Sequence, residues 1–319
     1  MILLGGLAIA TGEARDPFVH TYSIVAIDEK IGQIGVAVQS HWFSVGSDVT
    51  WAEAGVGAVA TQSFTEVSYG PLGLQLMKAG KTAPDALKAL IAIDKNPDVR
   101  QVAMIDAKGN IAVHTGKSCI PEAGQKIGKN FSAQANLMLK NTVWDAMGKA
   151  FDGTQGDLAD RLVAALEAAQ NESGDIRGMQ SAAIIVVSTK SAGTPWAEKI
   201  VDLRVEDNPN PIEELKRLLT VRRAYDHMNK GDAYFSEKKM DQANKEYEIA
   251  EQLAPDNAEI KFWHAVTLAT IGKIDEALPI FKKVFAIDKN WATLLPRLPK
   301  ATLLPDDQQL IKKILSVVK

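Results

Sequence analysis

Cysteine is nearly absent. The chain of 319 residues carries only Cys119, which excludes an intramolecular disulfide and a cysteine-built zinc cluster. Histidine is scarce too: the five, at positions 20, 41, 114, 227 and 264, show neither HxH nor HExxH spacing. No metal and no cofactor is called for. Positive charge is not in excess, since 36 Lys and Arg stand against 39 Asp and Glu, a formal −3. That argues against a nucleic-acid partner and against a polybasic membrane surface. A membrane span is not expected either, because the apolar run Met1–Ala10 falls well short of the roughly twenty residues a bilayer requires. Walker loops and GxSxG elbows are missing. The fragment Gly55-Val-Gly57-Ala-Val-Ala60 enters a strand instead of joining strand to helix, so it is no dinucleotide fingerprint.

What is present suits a folded protein. The composition is 46% hydrophobic and 24% charged, and the length allows one large core or two smaller ones. The apolar Met1–Ala10, with small residues at Ala8-Ile-Ala10 or Gly12-Glu-Ala14, has the order of a secretory leader, apolar region then cleavage site. Residues 1–20 are therefore expected to be a leader and the protein to be exported, periplasmic or extracellular.

Two regimes follow. From Thr21 to about Leu203 short β-type runs alternate with helical ones, an α+β order. Thr21–Ile27 and Ile34–Ser40 flank the turn-forming Asp28–Gly32, which predicts a hairpin. Gly57–Ser63 gives a third strand after a loop containing Trp51–Gly55; helices are expected at 72–78 and 83–93, then a hairpin at 101–106 and 110–114. A strand at 131–136, helices at 142–152 and 157–170, and strands at 181–188 and 199–205 complete the domain. This order predicts sheets inside and helices outside, over residues 21–205.

After the linker Asp207–Pro211 the chain reads as helix upon helix, residues 211–319, with an internal period of 34. Gly231, Tyr234, Ala243, Tyr247, Ala250 and Pro255 mark one copy, about 224–257. Ala277, Phe281 and Val284 mark the second, about 258–291, and a capping helix is expected at 306–318. Small residues permit close helix crossing and the aromatics fill the gap between helices.

The hairpin register places Thr21 opposite Ser40, or opposite His41 if it slips by one residue. A nucleophile beside a second hydroxyl and an imidazole is then conceivable. Gln62 and Asn136, near strand ends, are candidate polarising groups. In Gly174-Asp-Ile-Arg-Gly178, which feeds the strand starting at Ser181, Arg177 is suited to hold a carboxylate with Asp175 orienting it. Asp175, Arg177 and Ser181 are the expected substrate-binding set. Cys119 and His114 form a weaker nucleophile pair.

Thr21-Tyr-Ser-Ile-Val-Ala, Gly35-Val-Ala-Val, the run Trp51–Gln62, Ser68-Tyr-Gly-Pro71, Cys119-Ile-Pro, Gln134-Ala-Asn-Leu and the run Asp175–Ala183 resemble domain-of-unknown-function family 1028. The tail from about 222 resembles tetratricopeptide repeats. The first resemblance implies an Ntn-hydrolase-like four-layer αββα sandwich. It also implies Thr21 as nucleophile with its own α-amine as base, which requires a cut between His20 and Thr21. The expected function is an exported amidohydrolase acting on a small amide or peptide-like substrate, with repeats that bind a protein or peptide partner. A catalytically silent binding module with an adaptor repeat domain is the alternative, and a homo-oligomer is compatible with either.

Overall fold

A computed structural model describes residues 18, 19 and 21–318. The expected leader, apart from Phe18 and Val19, lies outside the described residues. The chain folds as two compact units that divide after Lys216.

In chain order the first unit holds β1 (Phe18–Val19), β2 (Thr21–Asp28), β3 (Gln33–Ser40), α1 (Val45–Val49), β4 (Thr50–Glu53) and β5 (Gly57–Phe64). Helices α2 (Tyr69–Lys78) and α3 (Ala83–Ile93) precede β6 (Arg100–Asp106), β7 (Ile111–Thr115), β8 (Gly124–Ile127) and β9 (Phe131–Ala135). Then come α4 (Val143–Gly153), α5 (Leu158–Asn171), β10 (Ser181–Ser188), β11 (Lys199–Val205) and the start of α6 (Pro211–Ser236). The strands build two antiparallel sheets, one ordered β1-β5-β6-β7 with β4 also on β5, the other β11-β10-β3-β2-β9-β8.

The β2–β3 hairpin forms as its turn predicts. Asp28 Oδ1 accepts the Lys30 amide at 3.0 Å, Gly32 takes φ +65°, and pairing runs unbroken from Asp28↔Gln33 to Thr21↔Ser40. Alternation then sorts the side chains. Val25, Ile27, Val36, Val38, Ala183 and Ile185 of one sheet meet Ala58, Ala60, Ala103 and Ile105 of the other in one buried cluster. The opposite faces carry helices. Leu74, Met77, Leu87 and Leu90 of α2 and α3 pack on Val59, Val102 and Met104, while α4 and α5 lie against β9 and against β2, β3 and β10. Asp157 caps α5 and Asp160 returns the bond, a reciprocal closure of its first turn.

Four of these elements depart from the sequence expectation. Strand β1 falls in the expected leader, β4 occupies what reads as a loop, and α1 and β8 are additional. Each is five residues or shorter, too short for periodicity to register. The division between units also falls inside α6 and not in the 207–211 linker: Ile212 and Leu215 are buried on the first turns of that helix.

In the second unit the rest of α6 is followed by α7 (Met240–Leu253), α8 (Ala258–Thr270), α9 (Ile274–Ile287), α10 (Asn290–Leu294) and α11 (Gln308–Leu315). Ala224 and Met228 pack with Ala243, Tyr247 and Ala250 of α7. A Cβ on Gly231 would sit 3.0 Å from the Tyr247 ring. At the 34-residue spacing Ala277, Phe281 and Val284 are buried in turn, around Phe262. Between α9 and the capping helix, α10 and two short turns add structure the sequence reading omits. No helix among the described residues is long and apolar enough to cross a membrane.

Candidate functional site

Four polar residues line up across one sheet. Thr21 pairs with Ser40, Ser40 pairs with Ser181, and the Asn136 amide donates to the Thr21 carbonyl oxygen at 3.1 Å. All four have the parity of the inward apolar positions, and all are fully buried at 0% exposure. The slipped register that would bring His41 opposite Thr21 is not adopted. His41 lies one residue past β3 with its ring exposed, and its backbone amide donates to Asp175 Oδ2 at 3.3 Å.

The other sheet supplies Gln62. Its Nε2 donates to the Thr21 carbonyl (3.2 Å) and to Gln101 Oε1 (2.7 Å), and its Oε1 accepts from Ser23 Oγ at 2.6 Å. Ser23 in turn accepts from Gln134 Nε2 at 2.6 Å, and Ser132 donates to Gln134 Oε1. Asn136 Nδ2 donates to Gln101 Oε1 at 2.9 Å. Gln101 Nε2 reaches Thr115 Oγ1 and the Ala135 carbonyl, both at 2.9 Å. Between the sheets an apolar cluster thus gives way, toward the Thr21 end, to an amide–hydroxyl network whose buried groups bond one another. Ser23, Gln101, Ser132 and Gln134 are absent from the sequence-predicted set. Their signal is parity: each occupies an inward strand position that an apolar residue would otherwise fill.

Ser181 is bonded within the protein. Its hydroxyl donates to the Trp42 carbonyl and accepts the Val45 amide at 3.1 Å, so it fastens the 41–45 turn. Asp175 and Arg177 do pair. Arg177 Nε and Nη2 grip the carboxylate at 3.0 and 2.7 Å, and the Arg177 amide adds a third bond at 2.9 Å. The Asp175 carboxylate is buried, whereas the Arg177 side chain keeps 29% of its surface exposed. This loop is knitted to the chain that follows Asn136: the Leu139 amide donates to the Gly174 carbonyl at 3.0 Å, and the Ile176 amide to the Leu137 carbonyl at 3.2 Å. Gly178, at φ +110°, passes beside His41, where a Cβ would lie 3.5 Å from the ring. Burial first, then the Asp175 charge, holds the Tyr22 phenol well above its ordinary pKa. The Tyr22 hydroxyl donates to Gln170 at 3.0 Å.

Thr21, Ser40, His41, Asn136, Asp175 and Arg177 therefore gather at one end of the β2–β3–β10 sheet, with Gln62 facing them. Cys119 does not join them. Its thiol donates to the Arg100 carbonyl at 3.4 Å and burial pushes its pKa up, while the His114 ring bonds the Pro97 carbonyl. A buried, protonated thiol is a poor nucleophile. The walls of a cavity of about 410 Å³ by Gln170 and Met179 and of one of about 350 Å³ by Tyr69 and Arg100 do not include Thr21, Ser40, Gln62 or Asn136.

Strand β1 approaches the cluster from upstream. Phe18 pairs with Phe64 and Val19 with Ser63, antiparallel on β5, so the chain leaves the first sheet at Val19 and begins the second at Thr21.

The stretch that carries this geometry, residues 21–215, matches the family model described as "Family of unknown function (DUF1028)". The chain belongs to this family. Among solved structures it is similar to protein SPO2555 from Silicibacter pomeroyi, a DUF1028 protein, at 31% identity with a TM-score of 0.57. That likeness covers 63% of this chain and 88% of the other. No curated protein matches.

Proposed function

We propose that the first unit is an Ntn-type amidohydrolase with Thr21 as nucleophile and terminal residue of the working form. The observation that supports this most is the position of Thr21 as first residue of β2, in one inward row with Ser40 and Asn136, where the DUF1028 match also begins. The helix pairs on the outer faces of the two sheets suit the four-layer sandwich of that class.

The chemistry follows from what a freed threonine offers. A cut between His20 and Thr21 exposes an α-amine with a pKa near 8, able to take the Thr21 hydroxyl proton at neutral pH. The oxygen adds to an amide carbonyl carbon, the C–N bond breaks, and the amine leaves carrying the proton. Water then cleaves the ester, releasing the acid and restoring the hydroxyl. Asn136 Nδ2 and Gln62 Nε2 both rest on Gln101 Oε1. Either reaches an oxyanion by giving up that acceptor, a contribution of about 3 kcal/mol per donor. Ser40 shares the row with Thr21, and Arg177, oriented by Asp175, anchors a substrate carboxylate. His41 closes the mouth of the strand pair beside Gly178.

For the second unit we propose tetratricopeptide-type repeats that bind a protein or peptide partner, supported by the equal burial of Ala243, Tyr247 and Ala250 and of Ala277, Phe281 and Val284. One observation favours the alternative of a silent binding module: Thr21, Ser40, Gln62 and Asn136 are fully buried, and the two amides are engaged within the protein. The two readings part in one experiment. A panel of small amides and short peptides is incubated with the wild-type chain and with Thr21→Ala. Turnover that disappears in the variant supports the hydrolase, and turnover equal in both removes Thr21 from the mechanism. If none is turned over even by protein shown to begin at Thr21, the module reading prevails.

A further inference from the structure

The edge of β5 that faces away from β6 is shared by two short strands. Strand β4 covers Gly57–Ala60, and β1 covers Ser63 and Phe64. Antiparallel pairing through backbone groups is indifferent to most side chains, so an edge that accepts one extended segment accepts another. β1 belongs to the upstream segment that the hydrolase reading removes. Its departure uncovers the β5 edge immediately beside the Thr21 row, since the Gln62 side chain already touches the Thr21 carbonyl at 3.2 Å.

We infer that the Ser63–Phe64 edge of β5 is the docking strand for an extended peptide that takes the place of β1, and that the substrate class is therefore a peptide with at least three residues on the acyl side of the bond to be cut. Continuing the β1 register by one residue sets the third peptide unit across from Gln62. That unit carries the carbonyl to be attacked, at the level where the Gln62 amide and the Thr21 row converge. The same geometry explains why a tethered β1 blocks the edge: a strand held on its own chain competes at an effective concentration on the order of mM. This inference names the substrate of the proposed hydrolase and rests on that reading for its purpose, but docking itself is measurable without turnover.

The probe is a fluorescent synthetic peptide with the sequence of residues 15–20, titrated by anisotropy against the uncut full chain, its intact mass shown to retain residues 1–20, and against an uncut full chain carrying Phe18→Pro and Val19→Pro. Proline removes the backbone donors of β1, so the variant frees the edge and is expected to bind the peptide at least about tenfold more tightly than wild type, as relief from the tethered competitor requires. The same peptide N-methylated at its Phe and Val is expected to lose that gain. Equal binding by wild type and variant, or equal binding of the methylated peptide, overturns the inference. Should the double variant not fold, Phe18→Pro and Val19→Pro are made singly, and the one whose N–H faces β5 in the antiparallel ladder gives the same comparison. Adding Thr21→Ala separates the two claims. Docking kept while no form hydrolyses any amide leaves the strand site and removes the hydrolase, whereas Thr21-dependent hydrolysis without docking does the reverse.

Discussion

Gln62 reaches across the space between the sheets and donates from Nε2 to the main-chain oxygen of Thr21 at 3.2 Å. One side chain thereby ties the first residue of β2 to the facing β5, and the same amide holds Gln101 and Ser23 in place. Replacing it with an apolar isostere leaves buried partners without a bond, each costing about 1–3 kcal/mol. Gln62→Leu is therefore expected to destabilise the protein by at least about 3 kcal/mol, read from urea unfolding midpoints. A loss below about 1 kcal/mol would show that the network tolerates a gap.

Thr21 itself is predicted to matter for chemistry and little for folding. Thr21→Ala removes one hydroxyl, an effect of about 1 kcal/mol on stability, and is expected to lower turnover by orders of magnitude. Thr21→Ser retains a nucleophile and should keep measurable activity. Alanine and serine variants of equal activity would contradict the assignment.

The Arg100–Asp94 pair predicts a pH effect. Burial alone raises the Asp94 carboxyl, but bonds from Arg100, the Asn96 amide and Tyr69 outweigh it and leave the pKa below the usual range. The folded state then binds that proton more weakly than the unfolded chain. The stabilisation is complete above the unfolded value of about 3.9 and fades as pH falls through the lowered folded value. Asp94→Asn should cost about 3 kcal/mol at pH 7, since it leaves a nearly buried guanidinium without its charge partner, and clearly less at pH 3. Equal losses at the two pH values would rule this out.

Gly70 offers a steric test. A Cβ there would sit 2.3 Å from Cδ1 of the Trp51 indole, whose Nε1 is fixed on the Asp48 carbonyl at 3.1 Å. The ring has little room to retreat, so Gly70→Ala is expected to destabilise by about 1–3 kcal/mol despite its better helix propensity. A thermal midpoint equal to wild type would show that the indole repacks.

The long strands, the β2–β3 register and the helix pairs were legible because each depends on local pattern: a turn-forming Asp28–Gly32, period-2 alternation, and 3.6-residue stripes. The Asp175–Arg177 clamp was legible for the same reason, its partners being two residues apart. Ser23, Gln101 and Gln134 were not, because their meaning lies in which sheet they face and that pairing is non-local. The bonds of Ser181 were not legible either: nothing local marks that the Trp42 carbonyl and Val45 amide meet its hydroxyl.

The account turns on Thr21 becoming a terminal residue. The direct measurement is the intact mass and N-terminal sequence of the purified full chain over time, for wild type and for Thr21→Ala. The account predicts that the wild type loses residues 1–20 and begins at Thr21. An alanine variant that keeps the bond would mark Thr21 as the agent of the cut. A wild-type chain that stays joined at His20–Thr21, in protein that nevertheless hydrolyses amides, would contradict the central claim.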